Sequence, residues 1–494
     1  MTFPAQARTR RHGSVSQALA RDRLGVPAVL FFVLAGVAPL TVAAGVIPTA
    51  YATTGLTGIP AAFVVIAVIL AIWSSGYVAM TRHITNAGAF YAFISAGLGR
   101  VAGVSAALVA LLAYTFLQVG LYGALGPAAA SQAAEHLGIH EPWWAFALGA
   151  WAIVAVLGLL RVDVTGKILG VLLCAEIAVI LAETAAGLAG PAGGHLALGT
   201  LSPAALTGGG FSTFGVLAVV AVLGFVGFEQ APVLAEEARN PRRTVPAATY
   251  VALGAIAVVY AGVSWAMAVR NGQAHVVGAA GQQGPGLLFG LAGNGFLAQA
   301  APWLFVTSLF AAALAFHNCV WRYAFALGRE NVLPAALGRT GRNSVPRAAS
   351  AAQSVTGLIA IAVTALARLS PMNGLFFGLG TTGGFGILLL LAVTAVAVIA
   401  FFARDPRGES AWRRLAAPGL AAVLLIVIVV LAVLHYGTLL GVAPGSPAAW
   451  ALPASYTAVA AAGITWGLVL RARRPDVYQV IGLGADAAAR RVMP

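Results

Sequence analysis

Two carboxylates stand inside apolar runs where a charge is expensive. Glu229 closes the stretch Phe225-Val-Gly-Phe-Glu229, just after Gly224 and Gly227, and Glu176 sits in Val171-Leu-Leu-Cys-Ala-Glu176. An acid at bilayer depth reads as functional by default. Glu229 could bind an amine, carry a proton, or hold a glycine-weakened helix by accepting backbone hydrogen bonds. Glu176 could take the place of a coupling cation or simply bond a neighbouring helix. Glu183, two turns further on, reads as a solvated end residue, and Lys167, the only lysine, as a topology charge.

Tyr114, Gln118 and Tyr122 recur every four residues and so share one helix face. Such a stripe either lines a polar path or joins helices. In Phe316-His-Asn-Cys319, Phe316 could gate or stack on a ligand, and His317 is either a proton relay or a satisfied packing residue. Phe376, Phe377, Thr381 and Thr382 are candidates for an outer vestibule. The loop Glu236 to Arg243 sets two acids ahead of three arginines, as a charge-paired gate or a solvated turn would. No nucleophile–base–orienter set and no metal-ligand cluster stands out, so neither an enzyme nor a cofactor is expected.

The elements that must position these groups follow from composition. The chain has 494 residues, 60% hydrophobic and 9% charged, against about 25% charged in soluble domains. Apolar runs of about 20 residues repeat along it, which implies membrane helices. Twelve spans are expected: Val26 to Tyr51, Ile59 to Met80, Val101 to Ala129, Trp143 to Leu160, Val164 to Leu188, Phe211 to Ala235, Val245 to Val269, Ala298 to Leu327, Ala348 to Ala367, Asn373 to Phe402, Leu415 to Leu440 and Trp450 to Leu470. With an even count both termini share a side. If that side is cytoplasmic, all but Arg270 and Arg368 of the 28 basic residues are inside, which satisfies the positive-inside rule and accounts for the net charge of +14 without nucleic acid. Residues 1–23 are basic and lack the layout of a cleaved signal. The 2 cysteines, Cys174 and Cys319, lie in apolar runs and are expected to be buried thiols.

The first span carries a proline among small residues, Gly36-Val-Ala-Pro-Leu-Thr-Val-Ala-Ala-Gly45, and the sixth carries the Gly227 stretch. They occupy matching positions if spans one to five and six to ten are inverted repeats. Paired interruptions of that kind point to a midplane binding site. The free N–H groups after a break suit a carboxylate, and the free carbonyls before it suit an ammonium. A ligand's polar ends would then lie against Ala38, Pro39, Thr41, Val42 and Ala43 on one side and Phe225, Gly227 and Phe228 on the other. Glu229, Tyr114, Gln118, Tyr122 and Phe316 complete the expected substrate site. Glu176, Glu229 and His317 are the proton-coupling candidates.

Four pieces of sequence resemble the amino acid–polyamine–organocation (APC) permeases: Ala38-Pro-Leu-Thr41; Asn86-Ala-Gly-Ala-Phe-Tyr91 with Gly97-Leu-Gly-Arg100; Phe225 to Glu229 running into Glu236-Glu-Ala-Arg-Asn-Pro-Arg-Arg243; and Asn318 to Tyr323 leading into Ala326-Leu-Gly-Arg-Glu-Asn-Val-Leu-Pro334. The resemblance implies an all-α polytopic membrane protein with twelve transmembrane helices. It would have a LeuT-like fold of 5+5 inverted repeats plus two extra helices, with spans one and six discontinuous. The expected organisation is a cytoplasmic tail (1–25), a ten-helix core (26–402, with repeats about 26–189 and 211–402), two added helices (403–471) and a cytoplasmic C-terminal tail (472–494). It also implies a plasma-membrane secondary transporter of an amino acid or related amine that works by alternating access with proton coupling. A putrescine or polyamine importer, an amino acid exchanger and a non-transporting sensor of the same fold are the alternatives. The Gly-Ser-Gly-like turn of many members is here Thr41-Val-Ala43, and the lysine that many carry in span five is replaced by Glu176.

Overall fold

The computed structural model describes Leu19 and residues 22–206, 210–293, 295–341 and 344–484. Among them the chain is mostly helical, and Leu24 and Ala238 form an isolated bridge. In chain order the main helices are α1 (Val26–Val37), α2 (Ile47–Thr54), α3 (Ile59–Thr81), α4 (Phe90–Leu98), α5 (Arg100–Leu137), α6 (Trp143–Leu157), α7 (Val162–Ala189), α8 (Gly210–Phe225), α9 (Pro241–Asn271), α10 (Phe296–Arg329), α11 (Arg347–Leu366), α12 (Thr381–Arg404), α13 (Ala417–Leu434), α14 (Ala448–Arg473) and α15 (Pro475–Val480).

Among the described residues, 11 helical stretches are long and apolar enough to cross a membrane. The stretch expected as the fourth span is a shorter apolar helix, α6, of 15 residues, because the chain turns at Gly158. The bundle's outer surface is itself apolar: Val171 is 72% exposed and Val258 75%. Such a surface is a liability in water and a match for lipid, so this is a multi-pass membrane protein.

Prolines start several helices at positions where their missing N–H costs nothing, as at Pro27, Pro60 and Pro241. The 38-residue α5 is the central post; α4, α6, α10, α12 and α14 all pack on it. Its join with α14 is close because Gly463 has no side chain: a β-carbon there would lie 2.5 Å from the Ser105 Cα. Three described segments are wound wider than an α-helix, Val42–Val46, Met372–Gly380 and Trp412–Ala416. Between α3 and α5 the chain forms a further short helix, α4, from Phe90 onward.

Most of the described arginines gather at one end of the bundle, hereafter the basic end. There Glu409 accepts from Arg82 at 3.2 Å and Arg413 at 3.3 Å, and Arg404 donates to the carbonyls of Ala96 and Gly97. At the opposite end Arg270 donates to the Gly190 carbonyl. Two expectations fail in this fold. Cys174 is exposed on the surface of α7, since its helix face points away from the bundle. Glu183 is buried rather than solvated, and its Oε2 accepts from the Ala292 amide at 2.8 Å. The segment between α9 and α10 folds over it with two short helices, Val276–Gln283 and Gly286–Phe289.

Candidate functional site

Two backbone turns lie against each other in the bundle. The first is at Ala38, which is left-handed (φ 52°, ψ 68°) and whose N–H reaches the Leu34 and Ala35 carbonyls. Helix resumes at once with Pro39–Thr41, a start that proline's fixed φ favours. The second turn is at Gly227, with φ 118°, between α8 and the tighter helical run Phe228–Leu234. A β-carbon on Gly227 would lie 2.7 Å from the Gly36 carbonyl carbon and from the Val37 nitrogen. The glycine is therefore required twice, by its dihedral and by the approach of the other turn.

Each turn is followed by a helix start, and each start is met by a buried carboxyl group. Glu229 Oε2 accepts the Gly227 amide at 2.7 Å, and Oε1 accepts the Tyr114 hydroxyl at 2.9 Å. Glu176 contacts the backbone of Leu40 and the Ser308 hydroxyl. Ser308 Oγ in turn accepts from the Thr41 amide at 3.3 Å and the Thr41 hydroxyl at 3.1 Å. Negative groups at helix N-termini are favoured by the unpaired N–H groups and the helix dipole. Glu229 has both oxygens engaged. Glu176 Oε2 has no hydrogen-bond partner among the described residues.

Beside the two turns lies a cavity of about 160 Å³. Of the residues proposed from sequence, Ala38, Thr41, Val42 and Phe316 line it; Pro39, Ala43, Tyr114, Gln118, Tyr122, Phe225, Gly227, Phe228 and Glu229 do not. The wall is completed by Leu117, Gly120 and Leu121 of α5, Val220 and Leu223 of α8, and Phe376, Phe377 and Thr381. Two of the three widely wound segments contribute to it, with Val42, Gly45 and Val46 from one and Phe376, Phe377 and Gly380 from the other. Such windings occur often at functional sites. The cavity continues past Thr49 and Leu439 toward the end opposite the basic end. Thr382 stands outside the wall: its hydroxyl accepts from Tyr436 and its carbonyl from Tyr456.

The polar stripe of α5 divides. Tyr114 turns to Glu229, whereas Gln118 and Tyr122 enter a separate buried network. Gln118 donates to the Tyr122 hydroxyl at 3.2 Å and accepts from Gln353, and it meets His317 Nδ1 at 3.3 Å. His317 Nε2 meets the Ser350 hydroxyl at 2.9 Å. This network ties α5, α10 and α11 together behind the cavity wall. The apolar residues on the adjoining face of α5 line the cavity instead; their spacing of three and four sets them on one face but does not say what that face meets.

Toward the basic end the interior is packed with rings and ion pairs. Trp73 stacks on Tyr77 at 4.3 Å, and Tyr77 donates to the Glu229 carbonyl at 2.9 Å. Tyr114 and Tyr323 lie 5.5 Å apart. Beyond them Arg322 Nε meets Glu237 Oε2 at 2.7 Å, and Arg329 grips Glu236 with two nitrogens at 2.6 and 2.8 Å. The acidic half of the Glu236 to Arg243 loop is thus paired with α10 rather than solvated. Glu330, just past α10, is buried and accepts the amides of Gly482 and Gly484 at 2.9 and 2.8 Å. Asn86 donates to the Gly482 carbonyl at 3.2 Å. This clasp holds the segment after α15 against the basic end. Burial pushes the Glu330 carboxyl up to about 7, against the pull of those two amides.

A family model described as amino acid permease matches residues 28–473 of the chain. No curated protein matches it.

Proposed function

The chain belongs to the amino acid permease family, within the APC superfamily, and from that premise we propose that it is a secondary transporter moving an amino acid or related amine across the plasma membrane by alternating access. The observation that carries this reading is the cavity beside the touching Ala38 and Gly227 turns, continued toward one end of the bundle and backed at the other by rings and two acid–arginine pairs. A ligand site reached from one side and packed shut on the other is what alternating access requires of one of its states.

In this reading the two turns are the discontinuities of spans one and six in a LeuT-like core. Residues 26–189 and 211–402 are its inverted repeats, and the helices within 403–471 are additions. The twelfth crossing is α6. The basic end faces the cytoplasm with both termini, in accord with the positive-inside rule, so the described state faces outward. Thr41, Val42, Ala38 and Phe316 meet the substrate. Glu229 acts mainly as a positioning residue, since its carboxylate is spent on the Gly227 amide and Tyr114.

Of the three proton-coupling candidates, Glu176 fits best. It has one unpartnered oxygen and touches both the resumed helix and α10, so its protonation would change how those two elements hold each other. His317 has both ring nitrogens committed behind the wall. The test is uptake and counterflow in liposomes containing purified protein, with and without an imposed pH gradient. Absence of counterflow with every amino acid and amine tried would refute transport. Ligand binding without flux would point to a sensor instead.

A further inference from the structure

The cavity wall bears on which substrate the site takes. Its 22 residues include no acid, base or amide side chain; its side-chain polar groups are the hydroxyls of Thr41, Thr49 and Thr381. The rest are rings, branched chains, glycines and alanines, among them Leu117, Leu223, Phe316 and Phe377. The two nearby carboxyl groups stand outside the wall: Glu229 is held by Gly227 and Tyr114, and Glu176 is turned to Ser308 and Leu40. A second charge on a ligand would therefore be desolvated with no partner, a heavy cost. The cavity's volume, about 160 Å³, is close to that of apolar protein cavities of about 150 Å³ that hold benzene.

We propose that the substrate is a compound with one polar head, either an amino acid or a monoamine, and an uncharged apolar body about the size of a benzene ring. The head lies at the Ala38 and Gly227 turns and the body fills the cavity. This rests on the transporter reading above and narrows it, because it excludes diamines, polyamines and amino acids with charged side chains. Gly45 offers a handle on the body's size. It lines the cavity, and a β-carbon placed on it would meet nothing within 4 Å.

The test is a thermal-shift series on the purified full-length chain with phenylalanine, leucine, phenethylamine, alanine, lysine, glutamate and putrescine, followed by counterflow in liposomes. Ligands of the native state raise its melting temperature. The expected result is stabilisation by phenylalanine, leucine or phenethylamine, with lysine, glutamate and putrescine at least about tenfold weaker. Lysine or putrescine binding as tightly as the apolar compounds would overturn the assignment and leave the transporter reading standing. Apolar ligands that bind but never exchange across the membrane would leave the assignment standing and remove the transporter reading. No shift with any compound in the series would overturn the assignment. Gly45→Leu should lower the preference for phenylalanine over alanine about tenfold, roughly the effect of added bulk in an apolar pocket. An unchanged preference in a folded variant would mean that the body lies elsewhere.

Discussion

Gly227 and Gly36 touch backbone to backbone: a β-carbon on Gly227 would come within 2.7 Å of the Gly36 carbonyl carbon. The two turns that frame the cavity are in direct contact, so the geometry of one is imposed on the other. Gly227→Ala meets both the backbone of Gly36 and a φ of 118°. The dihedral alone costs about 1–3 kcal/mol. We expect a clear fall in melting temperature and loss of uptake. Gly36→Ala meets the end of the Gln230 side chain, at 2.9 Å, which can swing aside, and should be milder. Equal melting temperatures for the two variants would show that the backbone contact does not matter.

Glu176 and Glu229 should separate in assay. Glu176→Gln should abolish acceleration of uptake by a pH gradient while retaining counterflow, because the amide cannot exchange a proton. Glu229→Gln presents an N–H₂ group to one of its two donors and should damage both modes more than it damages expression. It forfeits about 1–3 kcal/mol for the stranded donor. Normal gradient-driven uptake in the Glu176 variant would remove it as the proton carrier.

Arg322 and Glu237 are both buried, at 1% and 3% side-chain exposure. Arg322→Ala leaves a buried carboxylate without its partner, a loss of about 3–5 kcal/mol. The double variant Arg322→Met with Glu237→Leu should recover most of that. A double variant no more stable than the single would show that the loss comes from packing rather than from the stranded charge.

The Glu330 clasp should respond to pH. A solvated carboxyl titrates near 4.5 and the clasped one near 7, so the docked tail binds the proton more tightly than the released one. Docking is then favoured by protonation, fully below about 4.5, and that contribution is lost as pH rises through about 7. Exchange protection at Gly482 and Gly484, corrected for intrinsic rates, should fall across this window, and Glu330→Gln should flatten the profile. A rise in protection over the same window would contradict the sign.

Much of the site was legible because its signals are local. Pro39 between small residues and Gly227 inside an apolar run each mark a turn on their own, and the acids beside them stand out against lipid. What reading along the chain could not supply is the partner of each group. Tyr114 and Gln118 share a helix face, yet a small difference in angle sends one to Glu229 and the other to His317. The cavity's true wall on α5, Leu117, Gly120 and Leu121, carries no chemical mark, since apolar residues look alike whether they face ligand, core or lipid. Glu183 and Cys174 were misplaced for the same reason: helical phase fixes a face, but only the packed neighbours decide what covers it. The Glu330 clasp joins residues more than 150 positions apart, a pairing without a local signature.

The brevity of α6 has a consequence for the surrounding lipid. Its 15 residues extend about 22 Å, against a hydrocarbon thickness of about 30 Å. It opens with Trp143 and Trp144, residues that seat at the headgroup level. The helices that pack on it, α5, α10 and α11, are 38, 34 and 20 residues long. As a crossing, α6 would place hydrophobic mismatch on one flank of the protein. If α6 is the twelfth crossing, as proposed above, a bilayer thinned to meet the tryptophans would accommodate it, and shorter acyl chains would relieve that deformation.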